Sequence, residues 1–127
     1  MHLNYDYHIV RLPHEGEQYA IFLAKDAGGN VRAVAKVSPF GTGPNFRPFV
    51  SGVHVEIAHR RKGIARGLMD FIGEQCRRKG NETLALYVHK DNIEAEALYR
   101  SLGFTAFVDD GVDILHAVKL SEMQEVS

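Results

Sequence analysis

The segment from Phe49 to His89 constrains the fold more than any other part of the chain. Ile64, Leu68, Met69, Ile72 and Cys76 recur at helical spacing, and an apolar stripe with that period needs a helix laid against a core. The spacing predicts a helix over about 63–79. Strand-like runs flank it. From Phe49 to Ile57, Val53 and Val55 fall on one face and His54 and Glu56 on the other, as alternation along a strand requires. Apolar residues run through Thr83 to His89, which reads as a strand buried on both faces. Strand therefore turns into helix at Arg60-Arg61-Lys62-Gly63-Ile64-Ala65.

The rest of the chain falls into place around this unit. Leu3, Tyr5 and Tyr7 alternate with polar residues, and an extended pattern continues to Leu12, before Pro13; this is a first strand. Tyr19–Lys25 and Val31–Val37 flank Asp26-Ala27-Gly28-Gly29-Asn30, two strands joined by a glycine-bearing hairpin. Three of the four prolines lie between Ser38 and Pro48, so that stretch is a long loop. After His89, Asp91 or Asn92 can cap a helix over about 92–102, with Ala95, Leu98 and Leu102 as its apolar stripe and Gly103 as its end. Phe104–Val108 and Val112–Leu120 form a closing hairpin around Asp109-Asp110-Gly111. The order of strands, helix, strand, helix and hairpin predicts one α/β (α+β) domain over 1–120, with 121–127 as a tail.

Composition narrows the function classes. A chain of 127 residues, 45% hydrophobic and 24% charged, can bury a core without disulfides or metal staples. The single cysteine, Cys76, lies beside apolar helix positions and is expected to be a buried structural thiol, not a nucleophile. Met1 to Asp6 has no basic start followed by an apolar run, and no 18 apolar residues occur in succession. The expectation is a cytoplasmic protein with no membrane partner. With a net charge of -1, general attraction for nucleic acid ranks last among its functions. Yet seven of the 15 Lys and Arg residues lie between Arg60 and Lys79. Arg77-Arg78-Lys79, just before Gly80, suit the negative end of a helix and need no ligand.

The first cluster is different. A strand entering a helix through a basic, glycine-containing turn presents free N–H groups at the positive end of the helix dipole, which makes an anion site. Gly63 lets an anion approach the backbone, Ala65 keeps the first turn clear, and Arg60, Arg61, Lys62 and Arg66 add charge. A pyrophosphate suits this turn better than a lone carboxylate; a solvated basic helix start is the alternative reading. The chain has neither G-x-x-x-x-G-K-[ST] nor G-x-G-x-x-G after a strand, so other nucleotide motifs are absent. His54-Val55-Glu56-Ile57-Ala58-His59 is not H-E-x-x-H and there are no paired cysteines, so no metal is expected. A G-x-S-x-G elbow is also missing.

Some thirty residues after Arg60-x-x-Gly63-x-Ala65 comes Asn92-Ile93-Glu94-Ala95-Glu96-Ala97-Leu98-Tyr99-Arg100-Ser101-Leu102-Gly103-Phe104. Together they resemble the GCN5-related N-acetyltransferase family, whose [QR]-x-x-G-x-[GA] and N-x-x-A-x-x-L-Y-x-x-x-G-F motifs they match, over roughly Val53 to Leu120. The resemblance implies an acyl-CoA N-acyltransferase-like fold: a mixed, mostly antiparallel twisted sheet of about seven strands. It implies acetyl-CoA as co-substrate and a primary amine, small molecule or protein or peptide, as acceptor. Val53 and Val55 match the strand that splays to take the pantetheine arm. Arg61 to Ala65, Ile64 included, and Arg66 match the residues whose N–H groups hold the pyrophosphate, and Asn92 the asparagine beside the cofactor. Tyr99 matches the acid that protonates the departing thiolate; a tyrosine packed on a helix face is its other reading. Glu56 or His54 is the favoured base, with a solvated strand residue as the other reading of each.

One departure stands out. The family usually carries two helices between its first two strands, and here only Pro13 to Gln18 separates them. Those helices are reduced or absent, which leaves an open acceptor side with the Ser38–Pro48 loop as its lip. An open site suits a protein or peptide amine or completion by a second subunit, a homodimer. The rival function is a catalytically weak or inactive acyl-CoA-binding regulatory module.

Overall fold

A computed structural model describes residues 5–123. Seven strands form one sheet in the order β1-β2-β3-β4-β5-β7-β6. They are β1 (Asp6–Arg11), β2 (Ala20–Lys25), β3 (Val31–Ser38), β4 (Phe49–Val55), β5 (Thr83–His89), β6 (Thr105–Asp109) and β7 (Asp113–Lys119). Helices α1 (Ile64–Arg78) and α2 (Ile93–Ser101) follow β4 and β5. All neighbouring strands are antiparallel except β4 and β5, because α1 carries the chain back to the end where β4 began. The mixed, mostly antiparallel sheet is the one the family resemblance implied. β1 pairs directly with β2 from Asp6–Lys25 to Arg11–Ile21, so among the described residues no helix lies between them. Leu3, where the first strand was expected to begin, and the tail from 124 lie outside the described residues.

The core lies on one face of the sheet. Phe22, Val37, Val50, Leu84 and Leu86 are buried there against Ile64, Leu68, Met69, Ile72 and Cys76 of α1. Phe71 adds ring contacts to Tyr7 and Phe22, at 6.1 and 5.8 Å. Burial at about 1.5–3 kcal/mol per large apolar side chain outweighs the roughly 1 kcal/mol that each internal glycine, Gly67 or Gly73, costs the helix. Helix α2 contributes Tyr99 and Leu102 to the same buried cluster, and Arg66 of α1 hydrogen-bonds Ser101 of α2. Both helices therefore cover one face, and the other carries no helix among the described residues. No helix among these residues is long and apolar enough to cross a membrane.

That asymmetry corrects several expectations. In β5, Leu84, Leu86 and Val88 are buried, but Tyr87 is 59% exposed; the strand is covered on one face only, since nothing packs over the other. Just past α2, Leu102 is fully buried, whereas within the helix Ala95 and Leu98 are half-buried and Tyr99 is the buried residue, because Ala95 and Leu98 face a cleft. The Ser38–Pro48 loop is not a lip. Phe40 packs on Phe22 at 5.5 Å, and the Asn81 amide donates to the carbonyls of Gly41 and Gly43 at 3.0 and 2.9 Å. The loop thus sits below the C-terminal end of α1. Cys76 is buried, and desolvation pushes its thiol up to about 12, as a structural thiol requires. Arg77 pairs with Glu74 and donates to the Leu120 carbonyl, so the second basic cluster is held by the protein itself.

Candidate active site

The site begins with an irregularity in β4. Val34 lies opposite His54 and Lys36 opposite Ser51, so β4 fits one extra residue into that interval, a β-bulge. Gly52 takes φ 61° there, a conformation open to glycine at little cost. The bulge inverts the alternation, and Val53 and Val55 continue on the face where Val50 is buried. On its other edge β4 meets β5 at two positions only, Phe49–Ala85 and Val50–Leu86, while β5 stays paired with β7 to its end. Past Val50 the two parallel strands fork. The Glu56 N–H bonds back to Arg32 of β3; by alternation, the N–H and C=O of Val55 point into the fork.

A cleft of about 640 Å³ opens at this fork, between the end of β4 and the two helices. Its walls are apolar, from Val53, Val55, Ile64, Ala95 and Leu98. Its far end is the start of α1. Gly63 caps that helix at φ 81° with no side-chain hydrogen bond, so the N–H groups of Ile64, Ala65 and Arg66 have no intrahelical acceptor. Arg61 takes φ 64°, which costs a side-chain-bearing residue about 1–2 kcal/mol; strain of this kind gathers at ligand clamps.

Three arginines edge the same end. Arg60 Nε donates to the Val55 carbonyl at 3.0 Å, the Arg66 guanidinium bonds the Ser101 hydroxyl, and Arg61 pairs with Glu94 at 3.2 Å. Of the three, Arg61 alone meets a carboxylate among the described residues. The charges of Arg60 and Arg66 remain for an incoming anion, beside the positive helix end. Lys62 is exposed and does not border the cleft.

The second helix closes the cleft. Asn92 Oδ1 accepts from the Ala95 N–H at 3.1 Å and caps α2, which sets the helix start beside the cleft. Tyr99 is 6% exposed and borders the cleft, its ring edge-on to Phe104 at 5.8 Å. Burial raises its phenol above the ordinary 10.0. His54 is exposed at the cleft's border. Glu56 is elsewhere: its carboxylate is held at 2.6 Å by Arg32, which also bonds Asp26 at 2.7 Å.

The fold therefore brings together Val53, His54, Val55, Arg60, Arg61, Gly63, Ile64, Ala65, Arg66, Asn92 and Tyr99, and leaves Glu56 and Lys62 outside. It adds His59, Glu94, Ala95, Ala97 and Leu98, which had not been marked as site residues. His59 stands just before the basic turn and exchanges a 2.7 Å hydrogen bond with the Tyr5 hydroxyl. Adjacency to the turn was its only signal in the sequence.

Known proteins share this fold. The acetyltransferase (GNAT) family pattern matches residues 2–104. GCN5-related N-acetyltransferase 6, chloroplastic, of Arabidopsis thaliana is 36% identical over 62 residues, 49% of this chain and 22% of that protein. The chain thus spans about a fifth of that relative's length. The crystal structure of the ribosomal-protein-S18-alanine N-acetyltransferase from Escherichia coli is similar with a TM-score of 0.70 at 27% identity, over 83% of this chain and 71% of that one. Nourseothricin acetyltransferase gives a TM-score of 0.70 at 27% identity, over 86% of this chain and 69% of its own. A family match over most of the length, on a fold shared with solved acetyltransferases, establishes that the chain belongs to the acetyltransferase (GNAT) family.

Proposed function

We propose that this chain is an N-acetyltransferase that moves the acetyl group of acetyl-CoA to a primary amine by direct attack in a ternary complex. The observation that carries the reading is the fork beside Gly52, which runs directly to the start of α1, where no side chain caps the free N–H groups. The two ends of the cleft suit the two halves of one ligand. Free N–H groups with Arg60 and Arg66 fit a pyrophosphate, and an apolar slot edged by Val55's backbone groups fits the amide-bearing pantetheine arm. Bound acetyl-CoA would supply an acyl group activated as a thioester.

The chain's own residues do the rest. The Val55 N–H, aimed into the fork, is the donor assigned to charge developing on the carbonyl oxygen. Tyr99 holds its proton across the physiological range, because burial raises its phenol. A thiol of ordinary pKa near ~8.5 is a stronger acid than a phenol at about 10, so complete proton transfer to the thiolate is uphill by about 2 kcal/mol. Tyr99 is therefore assigned as a hydrogen-bond donor that stabilises the sulfur while it leaves, with water completing the protonation. For the amine's proton, His54 is the better-placed of the two candidates, since Glu56 is engaged by Arg32.

The acceptor class is not chosen by likeness: the two solved acetyltransferases of equal identity are named for a ribosomal protein's alanine and for nourseothricin. The test combines calorimetry with acetyl-CoA and an acetyl-transfer screen, read by product mass, over amines, antibiotics, amino acids and peptides. Saturable binding with transfer supports the proposal. Binding with no transfer to any amine favours the regulatory module, and absence of binding overturns both.

A further inference from the structure

The helix-free face of the sheet carries an apolar row that neither the core nor the cleft uses. Phe49 of β4 stacks on Tyr87 of β5, with centroids 5.6 Å apart and planes at 23°. Tyr87 is directly opposite Leu115 of β7, and Leu115 opposite Val108 of β6. Residues opposite one another in a sheet share a face, and this face is the one away from Leu86 and Val88. Tyr87 is 59% and Val108 56% exposed. The row thus crosses four strands, one side chain from each, and it ends at the fork, since Tyr87 follows Leu86, the last residue of β5 that pairs with β4.

Resting on the transferase reading, we propose that the acceptor is a polypeptide whose free amino terminus is followed by apolar residues, and that Phe49, Tyr87, Leu115 and Val108 are the platform on which those residues lie. The helix side of the fork is occupied by α1, α2 and the cleft, so an amine reaches the fork from the bare face. Three strand spacings of about 4.8 Å make the platform about 14 Å long, the span of about four extended residues at ~3.3 Å each. That exceeds the reach of a compact amine. The platform is also one-sided. Across β3 from Phe49 stands Ser38, and along β4 the same face next carries Ser51, opposite Lys36, so the row ends at the fork. A chain that ends there fits it, whereas a lysine within a chain would need support on both sides. The row has no line of carboxylates to hold a polyamine: its register neighbours are Ala85 with Ala117 and His89 with Asp113.

The test uses a tetrapeptide amide with a free amino terminus and apolar residues at positions two to four, its counterpart with glutamates there, and a single-residue amide. Burying even one apolar side chain gives the apolar tetrapeptide a kcat/KM advantage of about tenfold or more over both others. Val108→Lys, at the row's far end, raises KM for the apolar tetrapeptide severalfold, with kcat and the single-residue amide unchanged. Equal rates across the three amines, or no effect of Val108→Lys on the tetrapeptide, overturns the proposal. So does sedimentation showing a dimer that Val108→Lys dissociates, because a second copy then covers the row. Fluorescence anisotropy of the labelled tetrapeptide with coenzyme A present reads the platform without catalysis. Binding that Val108→Lys weakens severalfold keeps the platform even where no acetyl group moves, in which case the transferase reading falls alone; binding that Val108→Lys leaves unchanged, or no binding at all, overturns the platform.

Discussion

Arg61 and Glu94 pair at 3.2 Å across the mouth of the cleft, one from the turn before α1 and the other from the first turn of α2. Both side chains are largely exposed, at 81% and 75%, so the pair itself adds little to stability. On the proposed reading its consequence is for binding, since Glu94 would offer the arginine a rival to the phosphates of coenzyme A. Glu94→Gln is expected to tighten coenzyme A binding by about two- to fivefold at low ionic strength, with the gain shrinking as salt screens the pair. Titration calorimetry at two salt concentrations measures it. Weaker binding in the variant would show that Glu94 holds the ligand instead of competing with it.

Gly52 makes the fork possible, at φ 61°. Gly52→Ala meets no neighbouring atom within 4 Å but is strained by that backbone angle, at a cost of about 1–2 kcal/mol. Gly111→Ala is the control, with φ 91° and the same open surroundings in the β6–β7 turn. Both variants should lower the unfolding temperature to a similar degree. Coenzyme A affinity should fall in Gly52→Ala alone, and equal affinities would separate the bulge from binding.

Removal of the Tyr99 hydroxyl leaves an aromatic ring of the same shape. Tyr99→Phe should reduce kcat by about 10- to 10²-fold, since one hydrogen bond to a charged group is worth about 1.5–3 kcal/mol, with coenzyme A affinity unchanged. Because burial raises the phenol above 10.0, the donor keeps its proton below that value. Any alkaline loss of kcat from Tyr99 ionisation should therefore lie above pH 10 and vanish in Tyr99→Phe.

Gly67 is required by packing. A Cβ there would lie 2.0 Å from the Tyr7 hydroxyl and 2.5 Å from its ring carbon Cζ. Gly67→Ala gains about 1 kcal/mol of helix propensity but faces an overpacking cost of about 1–3 kcal/mol, so net destabilisation is expected in urea unfolding. Tyr7→Phe, which deletes the nearest atom, should recover part of the loss when combined with it.

Asp26 anchors the β2–β3 hairpin. Hydrogen bonds from the Asn30 backbone and the Arg32 side chain hold its carboxyl at about 2, below the ordinary 3.8. A depressed carboxyl pKa stabilises the fold above the unfolded value and loses that contribution as pH falls through the folded one. The difference in unfolding temperature between the native chain and Asp26→Ala should be full at pH 7 and shrink between about pH 4 and pH 2. A difference independent of pH would remove the charge from the account.

Much of the fold was legible because its signals are local. The stripe from Ile64 to Cys76 announced α1, Gly63 and Gly103 marked helix boundaries, and Asn92 caps α2 as its position suggested. The basic turn before α1 was readable too, since strand, glycine turn and helix are consecutive in the chain. Tyr87 was misread: an apolar residue in a strand has the same letter whether or not anything covers it. Glu56 and His54 looked equivalent as bases until Arg32, 24 residues away from Glu56, claimed one of them.

The sequence by itself determined the elements, their order and the basic glycine turn that leads into α1, because each depends on residues within a few positions of one another. Tertiary structure alone decided where β4 leaves β5, which face of the sheet stays bare, and which charges face the cleft. A one-residue bulge at Gly52 moves the side chains that follow it to the other face, and its register is set by β3 as the two strands pair. The pairing of Arg61 with Glu94 likewise exists only once α1 and α2 lie on the same face of the sheet.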